Sequence, residues 1–196
     1  MKQETEGKQL FSLYDMVVVG VMAAIIFVLT YFVQIPIPTP AGQTMIKSAN
    51  IFILLAGLLF GGLRGGLAAG IGSMIYDLLD PRFISDAPLT LIRFFLVAYI
   101  CGKIAYMNGQ KGENKWFNLA GAFVGGFMSV FLYAIQSVCK LMIAGSDFSA
   151  AVVACVPKLV TSSINAIVAI VLAFVLVFPL RAALKKVGFY QKISIR

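Results

Sequence analysis

The residues of this sequence that can do chemistry are polar and charged groups set inside apolar runs. Ser129, Tyr133, Gln136 and Lys140 follow Gly121 and Gly125 at steps of three or four, so all six share one helix face. Lys158, Thr161, Ser162 and Asn165 form a second polar stripe over two turns of another run. In a third, Gly62, Gly66, Gly70, Ser73 and Asp77 lead from small residues to a carboxylate, and Arg93 stands about two turns into a fourth. An ionisable group inside a membrane span is costly and marks a functional site by default. Taken singly, each reads equally well as half of a bracing pair, Asp77 or Asp80 with Arg93, Lys140 or Lys158. Taken together they favour a polar pocket, because bracing pairs would not concentrate at one end of a bundle. The small residues read as close helix packing.

Other chemistries are excluded or weakened. The 196 residues include no histidine, which removes Ser-His-Asp and Cys-His catalysis, His-ligated metals and His proton relays. No P-loop is present, so this chain does not bind ATP in that way. Asp77-x-x-Asp80 could hold Mg²⁺ in an intramembrane enzyme, but no further acidic ligand sits on a neighbouring span. No metal and no cofactor is expected. Cys101, Cys139 and Cys155 lie in apolar stretches and read as buried free thiols. The net charge of +8 is scattered, not massed on a soluble face, so nucleic acid is not an expected partner.

The elements that must position these groups are membrane helices. With 60% hydrophobic and 12% charged residues, the chain carries about half the charge of a soluble domain. Its apolar runs are continuous, which points to helices and not to a β-barrel. Six spans are expected, at about Leu13–Gln34, Ile46–Phe60, Leu63–Leu79, Pro88–Met107, Trp116–Ile143 and Ala151–Leu184. The first ends at Ile35-Pro36-Ile37-Pro38-Thr39-Pro40, which cannot stay helical. The second and third are short, which leaves a merged or re-entrant arrangement open. The expected fold is an all-α integral membrane protein: a compact bundle of six transmembrane helices in one domain over residues 1–196, with short tails at 1–12 and 185–196. The first span reads as a retained helix and not as a signal peptide.

Orientation follows from the basic residues. With the N-terminus in the cytoplasm, that side holds Lys2, Lys8, Arg64, Lys103, Lys111, Lys115, Arg181, Lys185, Lys186, Lys192 and Arg196, which is 11 of 16. Lys47, Arg82, Arg93, Lys140 and Lys158 lie toward the outside, with Asp77, Asp80, Asp86 and Asp147. Both termini are therefore expected in the cytoplasm and the polar pocket outside. The outer connections Pro36–Lys47, Asp80–Ala87 and Gly145–Ser149 could form a lid. The inner half has no deep Asp, Glu or Lys for a proton or sodium path, and no internal repeat supports a secondary transporter. A pocket open on one side with no energy source describes a binding subunit that is driven by a partner.

The chain resembles the S components, or substrate-binding subunits, of energy-coupling factor (ECF) vitamin importers. The resemblance covers nearly the whole chain and is clearest over Ile46–Asp80, IKSANIFILLAGLLFGGLRGGLAAGIGSMIYDLLD, and the helix start Ala87-Pro88-Leu89-Thr90. These resemble the riboflavin, pyridoxine, hydroxymethylpyrimidine and pantothenate branch. The resemblance implies a T subunit and two ATPase subunits as partners in the cell membrane of a prokaryote. The Ala-xxx-Ala docking motif of the family matches Gly20 and Ala24 here. It also implies a subunit that binds its vitamin outside, under the loop between helices one and two, and topples against the T subunit. The implied binding positions are Arg93, Tyr133, Gln136, Lys140, Lys158 and Asn165, with Asp77 and the Pro36–Gln43 loop nearby. The sixth span reads Pro157-Lys158-Leu159-Val160-Thr161-Ser162-Ser163-Ile164-Asn165 where riboflavin binders have Asn-Leu-Ile-Lys, which speaks against riboflavin. Three basic groups suit a carboxylate or phosphate, so pantothenate comes first and pyridoxine-type vitamins next. The alternatives are a stand-alone solute facilitator or channel, and the Asp77/Asp80 metal-dependent enzyme.

Overall fold

A computed structural model describes residues 12–39 and 42–192. Most of the tail at 1–12 and the end of the tail at 185–196 lie outside the described residues. Six long helices run in order: α1 (Leu13–Phe32), α2 (Ala49–Phe60), α3 (Gly62–Leu79), α4 (Ala87–Ala105), α5 (Lys115–Ile143) and α6 (Phe148–Lys186). A short α7 (Phe189–Lys192) follows. Among the described residues four helices are long and apolar enough to cross a membrane: α1, α5, α6, and α4 together with the short 3₁₀ turn before it. α2 is only 12 residues long, about 18 Å against a hydrocarbon core of ~30 Å. It is almost wholly buried among the other helices. α2 and α3 are not merged, because Gly61 takes φ +81 between them, a left-handed value open to glycine.

The helix ends follow the sequence. Ser12 accepts from the Tyr14 amide at 3.1 Å while its own amide donates to Asp15 at 3.0 Å, a reciprocal capping box that starts α1. Asn114 and Asp147 cap α5 and α6 by accepting from Trp116 and Ser149. Pro88 occupies the first turn of α4, where its missing N–H costs nothing.

α3 is the close-packed centre. A Cβ added at Gly62, Gly66 or Gly70 would stand 2.7, 2.9 or 2.8 Å from the carbonyl oxygens of Tyr99, Phe95 and Leu91. Steps of four on both helices thus bring two backbones together along one seam. Gly65 meets Ala56 of α2, and Gly72 meets Ala23 of α1, in the same way.

The all-α expectation needs one correction. The connection after α1 is an antiparallel hairpin of β1 (Gln34–Thr39) and β2 (Gly42–Lys47), registered Gln34 to Lys47 and Thr39 to Gly42. Pro36 and Pro38 are two residues apart, so their missing N–H groups fall on one side of β1, and β2 pairs through the residues between. Ile46 and Lys47, placed above at the start of the second span, belong to β2.

The cysteine reading also needs correcting. Cys101 and Cys155 are buried and free, but Cys139 is exposed because it lies on the outward face of α5. Tyr14 of α1 packs on Phe189 of α7 at 5.6 Å, so the start of α1 and the end of the described chain share one end of the bundle.

Candidate functional site

At the opposite end, a cavity of about 290 Å³ opens between α3, α4, α5, α6 and β2. All seven side chains singled out from the sequence line it: Asp77, Arg93, Tyr133, Gln136, Lys140, Lys158 and Asn165. The four-three-four spacing on α5 aims Ser129, Tyr133, Gln136 and Lys140 into one space, and α6 adds Lys158, Ser162 and Asn165. Thr161, also in that stripe, is absent from the lining and returns its hydroxyl to the Pro157 carbonyl at 3.0 Å.

Sequence reasoning missed Lys47, Thr44, Met45, Asn50, Asp86, Thr90 and Phe94, which also line the cavity. Lys47 and Asp86 carried a readable signal, a charge toward the outer end. Thr44 and Met45 enter only through the hairpin, whose pairing depends on partners across a turn.

Local bonds decide what each group can do. The Arg93 guanidinium donates to Gln136 at 3.0 Å and lies 4.5 and 4.9 Å from the ring centroids of Phe94 and Tyr133. Its Nε is buried without a partner. The Lys47 ammonium stands 5.6 Å from the Phe94 centroid and 5.8 Å from that of Tyr76. Burial pushes its pKa down to about 8, against the pull of Asp77, and Arg93 adds to the depression. Asp77 is 5% exposed, and Thr90 lines the same cavity. At the rim Lys140 pairs with Asp86 at 2.6 Å. Among the described residues none of Lys47, Arg93 and Lys158 has a carboxylate at ion-pairing distance. Four cations and two carboxylates leave the cavity with two surplus positive charges.

Three ties fasten the hairpin over this space. Asn165 donates to the Met45 carbonyl at 2.8 Å, and the Tyr133 hydroxyl lies 3.3 Å from Thr44 Oγ1. The Tyr76 hydroxyl lies 2.8 Å from both Gln34 Oε1 and Asp80 Oδ2, and its one proton serves one of them at a time. The polar groups of Tyr133 and Asn165 thus serve the hairpin. Among its described residues the Pro36–Gln43 loop contributes nothing to the lining, and its Pro40 and Ala41 lie outside the described residues.

Asp77 and Asp80 do not share a site. Asp80 bonds Arg82 at 2.5 Å, which holds its carboxyl well below the usual carboxylate range, and it lies outside the cavity lining. Among the described residues no group of three or more potential ligand side chains could hold a metal ion.

On the far face of α1, Gly20 and Ala24 are exposed, and a Cβ at Gly20 would meet nothing within 4 Å. They form a small-residue patch among the exposed Val17, Val21 and Val28.

Residues 10–186 match the family model described as the ECF-type riboflavin transporter S component. A 72-residue stretch is 39% identical to a UPF0397 protein of Lactiplantibacillus plantarum, covering 37% of this chain and 38% of that protein's own length. The family is one of membrane-embedded transporter subunits, not of enzymes. With a match across nearly all of its length, the chain belongs to the ECF-type riboflavin transporter S component family.

Proposed function

We propose that this chain is the substrate-binding subunit of an ATP-driven importer in the cell membrane of a prokaryote, with its six long helices embedded as one domain. The cavity end faces outside and both termini face the cytoplasm, in keeping with the distribution of Lys and Arg. The ligand is a water-soluble vitamin or related micronutrient that sits in the cavity against Asp77, Arg93, Tyr133, Gln136, Lys140, Lys158 and Asn165. Pantothenate comes first and pyridoxine-type vitamins next. Riboflavin is the second reading, favoured by the family description. Gly20 and Ala24 form the face that docks on a T subunit, which carries two ATPase subunits, and delivery follows by toppling against it.

One observation carries this reading. The polar groups of four helices and a hairpin converge on one cavity of ligand size at one end of the bundle. The purified chain in vesicles should bind vitamin without transporting it, and uptake should need the T subunit, the ATPases and ATP. Uptake by the chain alone would favour the stand-alone facilitator.

A further inference from the structure

The deep part of the cavity is short of negative charge. Lys47 and Arg93 approach the same ring, Phe94, at 5.6 and 4.5 Å from its centroid, which bounds their separation at about 10 Å. The carboxylate near both is Asp77, and it lies at ion-pairing distance from neither. The Arg93 guanidinium is held in place by Gln136 and two rings, yet its buried Nε has no partner. A desolvated cation without a counter-charge is costly, and an anion arriving from solution removes that cost. Lys140, by contrast, already has Asp86.

The two cations also belong to different parts of the fold. Arg93 stands on α4 in the bundle, whereas Lys47 ends β2, the strand tied to α5 and α6 through Thr44 and Met45. An oxyanion takes donors at ~2.8 Å on each of its oxygens, so two cations that approach the same ring can share one. We propose that the ligand is an organic anion whose carboxylate or phosphate bridges Lys47 of the hairpin and Arg93 of α4, so that the ligand's own charge fastens the hairpin over the cavity. This rests on the binding-subunit reading above and narrows its substrate class.

The test uses matched pairs that differ in charge: pantothenate and pantothenyl alcohol, pyridoxal 5′-phosphate and pyridoxal, riboflavin 5′-phosphate and riboflavin. Binding to the full chain in lipid nanodiscs should favour the anion at least ~10-fold in one or more pairs, and the pair concerned separates carboxylate from phosphate. Hydrogen exchange across residues 42–47 should slow with that anion and not with its neutral partner. Lys47→Gln and Arg93→Gln should each abolish the preference and Arg93→Lys should keep most of it, with Lys186→Gln at the other end as the charge control. Equal or tighter binding of the neutral members overturns the inference and leaves the binding-subunit reading standing. So does an anion preference that survives both Gln variants, or exchange that is indifferent to charge. No binding by any of the six compounds counts against both readings.

Discussion

Asn165, near the middle of α6, donates its side-chain amide to the main-chain carbonyl of Met45 at 2.8 Å, across 120 residues of sequence. One hydrogen bond therefore joins the longest helix to the strand that roofs the cavity. Asn165→Ala removes it and leaves the Met45 carbonyl unsatisfied, at a cost of about 1–3 kcal/mol to the closed hairpin. Ligand should then leave about ten-fold faster or more in stopped-flow release, with little change in association. An unchanged release rate would mean that the hairpin does not hold the ligand in.

The pH response follows from Lys47. Its amine titrates near 8 when the cavity is empty, so an anionic ligand finds it charged below that pH and neutral above it. The groups facing it are Asp77 of α3, Arg93 of α4 and the rings of Tyr76 and Phe94. A bound anion raises the Lys47 pKa, so affinity is fully present below about pH 8 and falls by up to roughly ten-fold per pH unit above it, until the bound-state pKa is reached. Titrations between about pH 7 and about pH 9.5 should show this fall in the wild type and a flat profile in Lys47→Gln. A flat wild-type profile removes Lys47 from the anion site.

Two glycines on adjoining helices should behave in opposite ways. Gly72→Val drives a side chain into the Ala23 backbone, and overpacking of this kind costs about 1–3 kcal/mol. Its thermal midpoint and membrane yield should fall. Gly20→Leu meets nothing within 4 Å, so stability should stay within about 0.5 kcal/mol and vitamin affinity should be unchanged. Co-purification with a T subunit should nevertheless be lost. Retention of the complex would move docking to another face.

Asp15 pairs with Arg64 at 2.8 Å and is 1% exposed, joining the first turn of α1 to α3. Asp15→Asn also weakens the capping box with Ser12. Breaking a buried pair by removing one partner costs about 3–5 kcal/mol. The thermal midpoint should drop by several degrees while the cavity, at the other end, keeps its ligand selectivity. A changed selectivity would show that the two ends are coupled.

The sequence announced the helices well and the hairpin poorly, for physical reasons. Helix signals are local: apolar runs, the Ser12, Asn114 and Asp147 caps, Pro88, and the break at Gly61 all lie within a turn of what they specify. The α5 stripe was readable because helical spacing alone puts Ser129, Tyr133, Gln136 and Lys140 on one face, and one face lines one cavity. A strand needs a partner. Ile46 and Lys47 are apolar and basic residues beside an apolar run, and only pairing with Ile35 and Gln34 makes them part of a roof. The same limit hid the second roles of Tyr133 and Asn165, whose hydrogen bonds go to that roof. Thr161 shows the converse, because a hydroxyl on a polar stripe can turn back to its own helix.

Native mass spectrometry of the chain purified from its membrane tests the central claim most directly. The account predicts one small vitamin-type anion retained per protein, released on mild activation and absent from the Arg93→Gln variant. A folded chain that carries no small molecule and takes up none of the tested vitamins, or one that retains the same ligand equally without Arg93, would contradict it.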